Sequence, residues 1–332
     1  MAQGIVITHA MNHQAQKKSG FMTDSKIRVV VTPPSFCKSE ILREELSRSF
    51  PGTVFSDKSD RLNEQELIAF CQKADAAIIG RDPVTEHVLK SLPNLKFIAK
   101  YGVGVDNIDQ EALQRHNVGM GWTAGVNRRS VAELTLCFML GLCHHAFQGG
   151  HKLRNNIWEK DGGNQLTEKT IGIIGCGNIG MEMVRLLAYF NCQVLVRDIA
   201  DKSEFCKETG ATETSLDDLI QHSDIISLHV PLTELTENMV NSAFISKMKS
   251  TAYLINTSRG KVVDQSALKK ALQGNVIKGA ALDVFEKEPP TDKELLTCLN
   301  LMATPHIGGT AAEAVEALGR ATISHLIKFS KR

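Results

Sequence analysis

Gly175-Cys176-Gly177-Asn178-Ile179-Gly180 is the stretch of this chain whose residue types and spacing point most sharply to a chemistry. It closes an apolar run beginning at Thr170 and opens a helical pattern, the setting in which a glycine loop holds a dinucleotide. Gly175 permits a tight turn, Gly177 lets a pyrophosphate approach the backbone, and Gly180 lets the helix pack on the strand. Unpaired N–H groups and the positive end of the helix dipole then hold the phosphates. Asp198 lies 18 residues beyond Gly180, at the end of the next apolar run. An acid there accepts hydrogen bonds from ribose hydroxyls and repels a 2′-phosphate, which favours NAD over NADP. Arg197 beside it is the group that would oppose that preference. A methyltransferase binding adenosylmethionine also uses a glycine loop and an acid after the second strand, so the loop alone does not name the chemistry.

The residues just beyond each later apolar run are more discriminating. Ligands in an open parallel sheet collect outside the carboxyl ends of the strands. After the run ending at Val230 come Pro231 and Leu232; after the run ending at Asn256 come Thr257, Ser258, Arg259 and Gly260. Asp283 ends the next, with Glu286 and Glu288 beyond it before Pro289-Pro290; past the last run stand Pro305, His306, Ile307, Gly308 and Gly309. One arginine, one or two glutamates and one histidine thus converge at the dinucleotide edge. That set suits hydride transfer to a 2-oxo acid. Arginine meets the substrate carboxylate with two parallel donors, as lysine cannot. Reduction places negative charge on the carbonyl oxygen, so a proton donor must lie within hydrogen-bond reach, and histidine titrates in the useful range. A carboxylate behind the imidazole fixes its tautomer and favours the protonated form.

The elements that must position these residues read as two strand–helix series. In the first, runs at 27–32, 53–55, 76–80 and 96–99 alternate with helical patterns at about 39–50, 63–73, 84–91 and 106–116. In the second, runs lie at 170–175, 193–197, 224–230, 252–257, 279–284 and 301–304. Near-continuous apolar strands between helices imply parallel sheets buried on both faces. The expected fold is α/β, two doubly wound parallel-sheet domains in tandem. Ser130-Val131-Ala132-Glu133 reads as a capping box opening a long helix, apolar nearly all round and therefore buried between the domains. The last helical pattern, from about Ala311 to Phe329, comes after an already complete series, so it is expected to return to the first domain. Residues 1–26 are polar and aperiodic and read as a disordered extension.

Composition excludes several function classes. Lys plus Arg is 38 against 37 Asp plus Glu, so no basic excess advertises nucleic acid or an anionic membrane. The most apolar stretch, Val131 to Phe147, contains Glu133 and two histidines and is shorter than the ~20 residues of a membrane span. The eight cysteines contain no C-x-x-C pair, which argues against a zinc cage and for reduced thiols acting as small hydrophobes in a cytoplasmic protein.

The chain resembles the D-isomer-specific 2-hydroxyacid dehydrogenases, near the D-3-phosphoglycerate dehydrogenase branch. The resemblance rests on Gly102-Val103-Gly104-Val105-Asp106-Asn107-Ile108-Asp109, Ser130 to Leu134, the glycine loop, His229-Val230-Pro231-Leu232-Thr233, Asn256 to Gly260, Ala281 to Phe285 and Pro305 to Gly309. It implies a flavodoxin-like substrate domain of residues 27–121 and 305–332, and a Rossmann NAD domain of 122–304. It places the catalytic arginine on Arg259, the histidine on His306 and the paired glutamate on Glu288. It implies NAD contacts at Gly175, Gly177, Asn178, Ile179, Gly180, Asp198, Val230, Pro231, Thr257, Ser258, Arg259, Asp283, His306, Gly308 and Gly309. Backbone amides at Val103 and Gly104 would help hold the substrate carboxylate, because glycine allows close approach. The resemblance further implies a cleft that closes on binding, a homodimer, and no metal.

The family does not itself select the substrate. Lys100, just before the glycine-rich loop, is expected to meet a C3 phosphate, with Arg81 and Arg128 as further cations. The expected pair is therefore D-3-phosphoglycerate and 3-phosphohydroxypyruvate, with no room for an added regulatory domain. The alternatives are a hydroxypyruvate or glyoxylate reductase, and an NAD(H)-sensing binding protein of the same fold.

Overall fold

Residues of alternating face within short, wholly buried strands account for the architecture, which the computed structural model describes for residues 27–331. The extension read at 1–26 lies outside the described residues. The first sheet contains β1 (Val29–Val31), β2 (Val54–Phe55), β3 (Ala76–Ile79), β4 (Phe97–Lys100) and β5 (Gly119–Gly121), in the order β2-β1-β3-β4-β5. The second contains β6 (Thr170–Ile174), β7 (Gln193–Arg197), β8 (Thr212–Glu213), β9 (Ile225–Leu228), β10 (Tyr253–Asn256), β11 (Gly279–Leu282) and β12 (Leu301–Ala303). Its order is β12-β11-β10-β9-β6-β7-β8. Every pairing in both sheets is parallel.

Each face of each sheet carries its own apolar cluster. Val29, Val31, Ile78 and Phe97 face one way in the first sheet, and Val30, Ala77, Ile79 and Ile98 the other. Ile174, Leu228, Leu254 and Leu282 face one way in the second, and Ile173, Ile255 and Ala281 the other. Burial on both sides is why these strands read as unbroken apolar runs. The two strands invisible to that signal, β5 and β8, are edge strands of Gly-Met-Gly and Thr-Glu.

The second sheet winds outward from β6 through β7 to β8, then returns to β9 on the other side of β6. The carboxyl ends of β6 and β9 therefore form the switch point where such sheets bind ligands.

The long helix spans Arg128–Cys143 and departs from its reading in two respects. It begins before Ser130, so the expected capping box does not form. Ser130 Oγ instead donates to the Gly308 carbonyl, and Glu133 accepts from Arg129. Nor is it buried all round: Val131, Thr135, Phe138, Met139 and Leu142 are buried, whereas Glu133 and Cys137 are exposed and Leu136 and Leu140 half-buried. Cys137 is thus a surface thiol rather than a core hydrophobe. His145, at φ 52°, ends the apolar run, and a second helix, Ala146–Arg154, leaves at 65°. Among the described residues no single helix is long and apolar enough to cross a membrane.

The final helix, Ala312–Ser330, returns to the first sheet. Leu326 is buried in the cluster containing Phe97, and the Phe329 ring stacks on Phe97 at 4.6 Å.

Candidate active site

The glycine loop sits at the switch point. Gly175 has φ +90°, and a Cβ there would lie 2.6 Å from the His229 carbonyl oxygen, so only glycine makes this turn. A Cβ on Gly180 would overlap the Gly175 carbonyl oxygen, whereas one on Gly177 would meet nothing within 4 Å. Gly177 caps the helix Asn178–Leu187 with no side-chain hydrogen bond, leaving the first-turn N–H groups, including those of Asn178 and Ile179, beside open space. Asp198 accepts from Cys176 N–H at 2.6 Å and Ala200 N–H at 2.9 Å, which anchors its carboxylate beside the loop. A glycine cradle, an uncapped helix start and a fixed acid suit a dinucleotide's pyrophosphate and ribose.

Arg259 lies just past β10. Asn256 braces the turn: its Nδ2 donates to the Arg259 carbonyl, and its Oδ1 accepts from Ser258 N–H and Oγ. Thr257 is held from below by Thr135, hydroxyl to hydroxyl at 3.0 Å. The guanidinium donates from Nε to Asp106 Oδ1 at 3.0 Å and from Nη1 to the Ser258 carbonyl, and Nη2 is ion-paired with the same Asp106 oxygen at 3.0 Å. With five N–H donors in the fork, at least one on each Nη is left for a ligand. Burial pushes the Asp106 carboxyl up, but Arg259 outweighs it and holds Asp106 below the usual carboxylate range. Gly104 lies flush against this pair; a Cβ there would be 2.7 Å from Arg259 Cζ and 2.8 Å from Asp106 Oδ1. The neighbouring Val103 carbonyl is held by Trp122 Nε1.

His306 lies just past β12 with φ +55°. Buried Asp283, at the end of β11, accepts from Ile307 N–H, Gly308 N–H and Thr304 Oγ1 and so clamps this loop. Gly309 packs against Asn127, and Val230 and Pro231 close the end of β9. His306 Nδ1 donates to Glu288, 2.8 Å from Oε2 and 3.0 Å from Oε1. Burial raises the Glu288 carboxyl, but His306, Phe285 N–H and Arg81 together hold it below the usual range. Glu286 does not share this role; it accepts from Gln265 N–H. With Nδ1 committed to Glu288, the proton available for transfer is on Nε2.

The cations expected to meet a phosphate are already engaged. Lys100 is 5% exposed, and its Nζ donates to the Gly80 carbonyl. Burial pushes its pKa down to about 8, with Arg259 and Arg81 acting the same way against Asp106 and Asp82. Arg81 bridges Asp60 and Glu288, each at 3.0 Å. Arg128 donates to the Gly125 carbonyl and faces Glu182.

Sequence reasoning missed Asp106 as the partner of Arg259 and Arg81 as the partner of Glu288. Asp106 stands inside the glycine-rich motif already singled out, and an acid there was the available signal. It also missed His229, whose Nδ1 is buried without a partner among the described residues; burial pushes its pKa down to about 3, so the ring is neutral.

Residues 136–308 match the model for the D-isomer specific 2-hydroxyacid dehydrogenase, NAD binding domain. A hydroxypyruvate reductase of Thermotoga maritima is 36% identical over 81% of this chain and 89% of its own. A D-3-phosphoglycerate dehydrogenase of Bacillus subtilis is 34% identical over 81% of this chain but 51% of its own. A D-lactate dehydrogenase structure from Aquifex aeolicus, complexed with NAD and lactic acid, superposes with TM-score 0.80 at 31% identity, covering 92% of this chain and 96% of that one. The chain belongs to the D-isomer specific 2-hydroxyacid dehydrogenases, NAD-dependent oxidoreductases built on two parallel-sheet α/β domains.

Proposed function

We propose that this enzyme reduces a short, unphosphorylated 2-oxo acid, glyoxylate or hydroxypyruvate, at the expense of NADH. The observation that carries this reading is the internal engagement of Lys100, Arg81 and Arg128, while Arg259 keeps at least one N–H on each Nη for a carboxylate. A doubly charged phosphate would have to break several of these pairs to be bound. Relatives named hydroxypyruvate reductase and glyoxylate reductase support the same reading.

In this reading Arg259 binds the substrate carboxylate, helped by the backbone at Val103 and Gly104, and so orients the carbonyl. Bound NADH supplies the hydride. His306 Nε2 donates a proton to the carbonyl oxygen as negative charge develops there. Glu288 holds the tautomer and stabilises the imidazolium. The glycine loop, Asp198, Val230, Pro231, Thr257, Ser258, Asp283, Gly308 and Gly309 form the nucleotide edge. Residues 27–121 with 305–332 act as the substrate domain and 122–304 as the NAD domain.

A second reading, 3-phosphohydroxypyruvate as substrate, is favoured by Lys100 lying within electrostatic reach of Arg259. NADH oxidation with glyoxylate, hydroxypyruvate and 3-phosphohydroxypyruvate separates the two. We expect kcat/KM about 10-fold higher for the better of the unphosphorylated acids, a difference of about 1.4 kcal/mol in transition-state binding. The reverse order would install the second reading, and no turnover of any would overturn both.

The exposed apolar side of the long helix also supports a homodimer. Glu133, Leu136, Cys137, Leu140, Gly141, Ala146 and Phe147 line a shallow cavity of about 400 Å³, and Phe147, Leu153, Ile157 and Trp158 nearby are exposed. Leu140→Glu is expected to yield monomers by sedimentation; an unchanged oligomer would place the interface elsewhere.

A further inference from the structure

The Glu288 carboxylate is shared by an imidazole and a guanidinium carried by loops of different sheets. Its Oε2 lies 2.8 Å from His306 Nδ1 and also accepts from Arg81 Nη1 at 3.0 Å. Arg81 lies just past β3 of the first sheet, and Glu288 past β11 of the second, 207 positions later. Arg81 is itself held by Asp60, another group of the first sheet's loops, through Nη2 at 3.0 Å. The charged groups acting on Glu288 are His306 and Arg81; Arg81 in turn acts on Lys100, which also feels Asp106, Arg259 and Asp82, and Glu286 and Lys287 precede Glu288 on its own loop.

We propose that Arg81 is a positioning residue that tunes the proton donor through Glu288. An ionised carboxylate sharing one oxygen between an imidazole and a guanidinium has part of its negative charge compensated by the guanidinium. The guanidinium thereby keeps Glu288 ionised and fixed in orientation. It also limits how far Glu288 stabilises the imidazolium, which eases release of the proton from Nε2. Because Asp60 and Arg81 stand on one sheet's loops and Glu288 and His306 on the other's, the donor reaches this balance only when the two edges are apposed. The inference rests on His306 being the proton donor.

The test is the pH dependence of kcat/KM for 2-oxo acid reduction in the wild type, Arg81→Met and Arg81→Lys, with thermal unfolding as a check on fold. Removing a half-exposed cation from the acid pair is expected to move the alkaline limb of Arg81→Met upward by about half a pH unit, the scale of one unit charge at ~6 Å in a water-like dielectric. Arg81→Lys keeps the charge and should return the limb to its wild-type position. An Arg81→Met limb that superimposes on the wild type, whatever the change in kcat, overturns the proposal. So does a rise in KM alone, which would make Arg81 a ligand contact, or an equal shift in Arg81→Lys. A wild-type profile with no alkaline limb removes the proton-donor reading and this inference with it; a limb present but indifferent to Arg81 removes only the inference.

Discussion

Gly104→Ala tests the carboxylate site formed by Arg259 and the Gly104 backbone with a single methyl group. The φ of Gly104 lies outside the left-handed region, so alanine can adopt its backbone, and the cost falls on the neighbours. An added Cβ would stand 2.7 Å from Arg259 Cζ and would overlap Nη2 outright, where ordinary contact begins at 3.4 Å. Cζ must therefore recede by at least about 0.7 Å, and Nη2 by more, taking the guanidinium off Asp106. Arg259 is the end of a flexible side chain, so the fold should absorb this within ~1 kcal/mol, as it does most changes away from the core. The substrate carboxylate has no such tolerance: a misplacement of ~1 Å costs about 100-fold in rate. The expected result is kcat/KM for 2-oxo acid reduction down by ~100-fold, shared between KM and kcat, with NADH affinity measured by fluorescence titration and thermal unfolding both near wild type. A variant that keeps kcat/KM within ~3-fold of wild type would refute the assignment of the carboxylate to this site, because the methyl group cannot be accommodated with the guanidinium and the Gly104 backbone both where they stand.

The same geometry makes three other outcomes testable. His306→Ala should lower kcat for reduction ~100-fold or more while NADH still binds, and Glu288→Gln should move the alkaline limb to lower pH; an unmoved limb would deny the pair its role. Asp198 should make kcat/KM with NADH at least ~10-fold higher than with NADPH, and equal use would point to Arg197 as a phosphate partner. Lys100, depressed from 10.5 to about 8 by burial, binds fewer protons folded than unfolded, so its burial penalises the fold below about pH 8 and the penalty fades as pH rises towards 10.5. Denaturant unfolding at pH 7 and pH 10 should therefore show the wild type gaining stability relative to Lys100→Met by on the order of 2–3 kcal/mol, and parallel behaviour would contradict the burial of a charged lysine.

Local order was enough to establish the two sheets, because buried parallel strands announce themselves in runs of four or five apolar residues. The same holds for the glycine loop, whose turn, cradle and helix contact all fall within six positions. Strand-end positions of Arg259, Glu288 and His306 were legible for a related reason: parallel topology brings successive carboxyl ends to one edge whatever the intervening helices do. The sequence alone did not show where the long helix starts, because Ser130 and Glu133 suit a cap as well as they suit the Gly308 carbonyl and Arg129 that they actually meet. Nor did it show that Lys100 turns inward to a backbone carbonyl, since a lysine at a strand end looks the same whether it faces a ligand or the Gly80 oxygen. The Asp106 partner of Arg259 and the Arg81 partner of Glu288 were decided by tertiary structure alone. Asp106 reaches Arg259 across 153 positions and Arg81 reaches Glu288 across 207, each from one sheet to the other. Such pairs carry no period and no spacing; they exist because two independently specified sheets meet edge to edge, and charge complementarity at that meeting determines which donor faces which carboxylate.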